Sequence, residues 1–120
     1  MESHKDLKVW QESMDLVVEI YKQTKLFLKE ELYALTSQMK RSAVSIPSNI
    51  AEGAGRKGTA EFCRFLYIAL GSASELETQV ELAYRLNFIN NMNDLASRMR
   101  FIKNMLSKLI KSLENKSSNV

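Results

Sequence analysis

The stretch FCRFLYIALGSASELETQVELA, residues 62–83, decides the fold. Its apolar residues Phe62, Leu66, Ala69, Ala73, Leu76, Val80 and Ala83 recur at alternating steps of four and three, the period of a helix that buries one stripe. The same period continues outward in both directions. Upstream it picks out Leu7, Trp10, Met14, Val17 and Tyr21, then Leu32, Leu35, Met39, Ala43, Ile46, Ile50 and Gly53. Downstream it picks out Leu95, Met99, Ile102, Leu106, Leu109 and Leu113. No segment alternates as a strand would. Four seams on short connections force neighbouring helices to run antiparallel. The chain therefore reads as all-α, an antiparallel up-and-down four-helix bundle forming one domain over residues 1–120. Its helices are expected over about 6–25, 30–54, 59–86 and 93–115.

The residues between the seams agree. Asp6 is a candidate cap for the first helix, and Glu30 and Glu31 would open the second, where carboxylates suit the dipole. Gly53, Gly55 and Gly58 interrupt the pattern, with Thr59 a candidate N-cap for the third helix. Asn87 to Asn93 is an asparagine-rich turn whose last member can cap the fourth, and the tail Asn115 to Val120 is expected to fray. Pro47 conflicts locally with its seam, since it lacks an N–H and crowds the carbonyl of Ala43. A kink, with Ser42, Ser45 or Ser48 hydroxyls meeting the freed carbonyl, is one reading; a shaped surface for a partner is the other.

At 120 residues, 45% hydrophobic and 26% charged, the chain has the size and balance of one globular domain. Its single cysteine, Cys63, can form no internal disulfide and is expected to be a small packing residue beside Phe62, which fits a reducing cytoplasm. No apolar run reaches membrane-spanning length and Met1 to Asp6 lack a signal-peptide pattern, so a cytoplasmic location without a membrane partner is expected. The net charge of +3 is unevenly placed. Residues 32–58 and 94–120 are basic, whereas 1–31 and 59–93 are acidic. Such alternation suits packing between subunits as well as contact with a polyanion.

Catalytic chemistry is poorly provided for. His4, the one histidine, lies in an N-terminal arm expected to be mobile, so a His-centred triad or a multi-histidine metal site is not available. Glu75, Glu77 and Glu81 form a carboxylate run, but di-iron bundles need Glu-x-x-His pairs. Neither enzyme activity, nor a metal, nor a cofactor is expected.

Function must then be sought on outer faces. The second helix carries Arg41, Ser45, Ser48, Glu52 and Arg56, flanked by Asn49 and ending in a turn with Lys57. That stripe reads either as a solvated face or as a contact surface for phosphates. The fourth helix bears Arg100, Lys103, Lys108 and Lys111, which read as solubilising charge or as a surface for nucleic acid. The third helix opposes its seam with Tyr67, Gly71, Ser74, Thr78 and Leu82, a small-residue stripe with large apolar ends that suits an interface with another copy.

The run from Glu31 to Gly53, containing Ser48-Asn49-Ile50-Ala51-Glu52-Gly53, followed by Gly55-Arg56 and by Phe62 to Leu76, carries a family signature. With Leu7-Lys8-Val9-Trp10 and Ile102 to Leu106 it resembles, over nearly the whole chain, the bacterial four-helix-bundle proteins encoded in 23S rRNA intervening sequences. That family is related to the accessory variability protein of diversity-generating retroelements. Leu28 departs from it, standing where members often have proline. The resemblance implies a homopentameric ring and, in the accessory-protein branch, binding of RNA or DNA and association with a reverse transcriptase. It marks Asn49, Glu52, Gly53, Gly55 and Arg56 as motif residues that serve either function or the fold.

Overall fold

The computed structural model describes residues 3–118. Among them four α-helices form the bundle: α1 Lys8–Thr24, α2 Ser37–Ala54, α3 Thr59–Arg85 and α4 Asn93–Ser118. Cross-helix contacts fix their directions. Ser42 meets Glu75 while Ser45 meets Ser72, so α2 and α3 are antiparallel. Tyr67 meets Glu114 while Lys103 meets Glu77, so α3 and α4 are antiparallel too. The α2–α3 interface is the most extensive, and the bundle measures 52 × 21 × 20 Å.

The core follows most of the seams predicted from the period, but α1 presents a different face. Leu32 of the second seam is exposed, Phe62, Leu109 and Leu113 are only half-buried, and Ile110, off the fourth seam, is buried. Met39, Ala43, Ile46 and Ile50 of α2 meet Leu66, Ala69, Ala73, Leu76, Val80 and Ala83 of α3, all buried, and Leu95, Met99, Ile102 and Leu106 of α4 complete the interior. In α1 the buried residues are Val9, Ser13, Leu16, Ile20 and Thr24, the first four one position off Trp10, Met14, Val17 and Tyr21. The helix is rotated by about 100° from the expected face. Met14 and Tyr21 are left exposed. Ser13 is tolerated inside because its hydroxyl donates to the Val9 carbonyl at 2.6 Å.

At Gly53 α2 lies close against α3. A Cβ there would lie 2.8 Å from Phe65 Cβ and 3.1 Å from both the ring and the carbonyl of Phe62. Only glycine permits that approach. Gly58, with φ of +94°, provides the left-handed backbone that starts α3, and so Gly58 rather than Thr59 is the N-cap. At the far end of α3, Asn87 takes φ of 66°, and Phe88 N–H donates to the Ala83 carbonyl at 2.8 Å, closing the helix with a left-handed cap.

Five local expectations need correction. Asp6 ends a short 3₁₀ turn, His4–Asp6, and receives the Ser3 N–H, whereas α1 is capped by Leu7 without a side-chain bond. That turn is packed rather than mobile, because the His4 ring sits edge-on to Trp10 at 5.2 Å. Glu30 and Glu31 belong to a 3₁₀ turn, Lys29–Glu31, followed by a wide π-type turn, Leu32–Thr36, with a backbone break at Ala34; α2 starts only at Ser37. Phe27 explains the detour, since it is drawn inward against Phe88 at 5.3 Å and closes that end of the core. Before α4 it is the Asn91 side chain, not that of Asn93, that takes a backbone N–H. Helix α4 also runs beyond the expected end to Ser118; Asn119 and Val120 of the expected frayed tail lie outside the described residues.

Pro47 lies buried inside a continuous α2. The Ser42 and Ser45 hydroxyls turn to α3 instead of serving its freed carbonyl.

Gly53→Ala is expected to destabilise the fold by about 1–3 kcal/mol, because overpacking against backbone and Cβ outweighs the gain in helix propensity. Gly55→Ala, whose nearest neighbours would be at 3.6 and 3.7 Å, should change stability by no more than about 0.5 kcal/mol. Urea unfolding midpoints of the two variants check the contrast.

Candidate nucleic-acid interface

The polar stripe expected on the outside of α2 divides in two. Asn49 donates to the Ser45 carbonyl at 2.8 Å and to the Ser45 hydroxyl at 2.9 Å, and that hydroxyl meets Ser72 at 2.8 Å. One turn away, Ser42 and Gln79 both donate to Glu75 Oε1, at 3.1 and 3.2 Å. The Ser45–Ser72 and Ser42–Glu75 bonds tie α2 to α3, and Asn49 and Gln79 brace them from within each helix. Arg41, Ser48, Glu52 and Arg56 remain exposed.

Of the motif residues, Gly53 serves packing and Asn49 serves the interhelical network. Glu52 and Arg56 face each other at 3.4 Å as an exposed pair, contributing about 1 kcal/mol or less. The Arg56 guanidinium also lies 4.9 Å from the Phe65 ring centre, and that of Arg64 lies 4.5 Å from it. Phe65 was missed by the periodic reading. It is only 8% exposed although it is off the seam, because Gly53 and two arginines cover it. Lys57 stands exposed in the turn.

Helix α4 presents a different arrangement. Lys103 is taken up by Glu77 of α3 at 2.7 Å and ties the two helices together. Asp94 is matched by Arg98 at 3.0 Å. Arg100, Lys108 and Lys111 are exposed and enter none of the ion pairs among the described residues. With Ser97, Asn104, Ser107 and Asn115, all exposed, they make one basic and polar face, bordered near its C-terminal end by Glu114, which lines a shallow pocket together with Ser107 and Lys111. The face extends over about 27 Å at the helical rise of about 1.5 Å per residue. Helix α2 shares no substantial interface with α4, so the sequence-predicted cations do not converge. Arg41 borders the α1–α2 groove, Arg56 and Lys57 sit at the α2–α3 turn, and Arg100, Lys108 and Lys111 form the face on α4.

On α3 the expected stripe is exposed as read: Tyr67, Gly71, Ser74, Thr78 and Leu82 all face outward. A Cβ on Gly71 would meet nothing within 4 Å, so packing within this chain does not require glycine there. Tyr67 donates to Glu114 at 3.2 Å, and the nearby carboxylate, with some burial, raises its phenol above the usual range. Burial first, and Glu114 second, raise the Cys63 thiol as well. Among the described residues no cluster of His, Cys, Asp and Glu is placed to hold a metal ion, and no helix is long and apolar enough to cross a membrane.

The geometry can now be set beside known proteins. The sequence profile described as 23S rRNA-intervening sequence protein matches residues 5–108. The chain belongs to that family. A solved structure from Bacteroides thetaiotaomicron VPI-5482, described as a protein of unknown function from the S23 ribosomal protein family, superposes with a TM-score of 0.79 at 29% identity, covering 86% of this chain and 95% of that one. No functionally curated protein matches. The family resemblance read from Ser48 to Arg56 and from Phe62 to Leu76 is thus correct, and with it the four-helix fold.

Cys63, buried and with a raised pKa, should react with iodoacetamide at neutral pH at least about tenfold more slowly than free cysteine, since the thiolate is the nucleophile. Mass-spectrometric alkylation rates in native buffer and in urea check this; equal rates would show an accessible thiol.

Proposed function

We propose that this family member is a non-catalytic, ring-forming bundle that binds RNA or DNA through the basic face of α4. What carries the reading is the pattern of pairing: Arg64, Arg85, Arg98 and Lys103 are matched by carboxylates, whereas Arg100, Lys108 and Lys111 on one exposed face are not. Unmatched cations among serines and asparagines are the groups that contact phosphate and sugar without reading sequence. In a ring the face would be repeated by every copy, and weak contacts would add through multivalency. Arg56 and Lys57 lie toward the C-terminal end of α4, since α3 and α4 are antiparallel, and would extend the surface.

Binding of this kind is electrostatic. With three phosphate contacts per copy, affinity should fall about 40-fold between about 50 and 200 mM salt. Fluorescence anisotropy on rRNA fragments and on duplex DNA measures it, and R100E/K108E/K111E should abolish the signal while far-ultraviolet circular dichroism is unchanged. No binding at low salt would remove the proposal; binding that the triple variant retains would move it off α4.

The self-association part is supported by Gly71, an exposed helix-interior glycine that costs about 1 kcal/mol and that packing within this chain does not explain. In a ring, small residues at 71, 74 and 78 would let a neighbour's backbone approach. Light scattering should give a multiple of 13.7 kDa for the parent chain and a reduced mass for Gly71→Leu. The second reading, a scaffold that docks a protein partner such as a reverse transcriptase, is favoured by the same stripe. It would prevail if the ring forms and no nucleic acid binds.

A further inference from the structure

Two surfaces of the molecule are left unsatisfied by everything above, and they complement each other. The first is the outer groove between α1 and α2. One part of it, about 410 Å³, is walled by Trp10, Met14 and Val17 from α1 and by Val44, Pro47 and Ala51 from α2. It continues past Val44 into a part of about 430 Å³ bordered by Tyr21, Lys40 and Arg41. The rotation of α1 creates this groove: Met14 and Tyr21, which the periodic reading assigns to the core, face outward into it. The groove is thus apolar along one half and cationic at the other end. The Lys40 ammonium lies 4.7 Å from the Tyr21 ring centre, and neither Lys40 nor Arg41 enters an ion pair among the described residues.

The second surface is the connection from α1 to α2. Leu26 is 81% exposed, Leu28 57% and Tyr33 91%, with Leu32 beside them, while Phe27 alone turns inward. Between these apolar side chains stand Lys29, Glu30 and Glu31, which likewise enter none of the described ion pairs and leave the segment one charge negative. Large apolar side chains this exposed, close together in sequence, mark an interaction site on a soluble domain. Here apolar residues flank a charged block that is net negative by one, Lys29-Glu30-Glu31, where the groove has apolar walls and ammonium and guanidinium groups.

We infer that the α1–α2 groove receives the Leu26–Tyr33 connection of a second copy of this chain, with Glu30 and Glu31 set against Lys40 and Arg41. Dimensions agree. The groove follows α2 from Ser37 to Ala51, about 21 Å at the helical rise. An eight-residue segment spans about 16–26 Å between 3₁₀ and extended geometry. Each copy both offers a connection and accepts one, so the contact can repeat around a closed ring. The inference rests on the self-association proposed above and names a contact surface distinct from the α3 stripe.

Charge exchange tests it by light scattering and sedimentation of the full chain. K40E/R41E and E30K/E31K, all at the surface, should each weaken self-association at least about tenfold at low salt, through like charges brought face to face. The fourfold variant E30K/E31K/K40E/R41E should associate within about threefold of the parent, because the exchanged charges again face opposite partners. Circular dichroism verifies that each variant is folded. Two outcomes overturn the inference and leave the ring intact: the double variants assemble like the parent while Gly71→Leu does not, or the fourfold variant stays dissociated. A parent chain that is monomeric at every concentration removes both the inference and the ring.

Discussion

The structure depends on how closely α2 can lie against α3, and Gly53 sets that distance. With Phe65 and Phe62 pressed against the space where a Cβ would be, the two backbones approach more closely than any other residue would allow. Everything along that interface follows from the approach. Ser45 and Ser72 meet across it with Asn49 bracing Ser45 from within α2, a carboxylate collects two donors at Glu75, and the alanines Ala43, Ala69 and Ala73 are fully buried between larger neighbours. A larger side chain at position 53 would wedge the helices apart at one end and loosen those short polar bonds at the other.

The same closeness determines which groups are free to meet another molecule. Residues that look like a ladder for phosphate on α2 are partly consumed by α3, and Lys103 of α4 is consumed by Glu77. What remains is the face of α4 with Arg100, Lys108 and Lys111, the turn with Arg56 and Lys57, and the groove with Lys40 and Arg41. Membership of the 23S rRNA-intervening sequence protein family supplies no chemistry for these groups, because the S23-family neighbour is itself described as of unknown function. Function is therefore sought where charges lack a partner and apolar residues lack a cover.

The α1–α2 connection shows where periodic reading loses its hold. Leu32 keeps the spacing of the α2 seam but is exposed, because the chain breaks at Ala34 and the segment before it is not on the axis of α2. Trp10, Met14, Val17 and Tyr21 keep helical spacing equally well, yet α1 buries Val9, Ser13, Leu16 and Ile20. Two apolar stripes side by side on one helix leave its rotation open, and a buried serine that bonds to its own backbone tips the balance unseen. Phe65 and Gln79 are the converse, residues buried off the seam because a facing element covers them.

Fold class, the existence and order of four helices, the α3 seam and the family were all legible in the sequence, since a 3.6-residue period and the glycine and asparagine breaks are local properties of the chain. Rotation of α1, the late start of α2, the packing role of Gly53 and the division of cations into matched and unmatched were decided only in the folded state. Each depends on what another helix brings to within a few ångströms, and no spacing along one chain carries that distance.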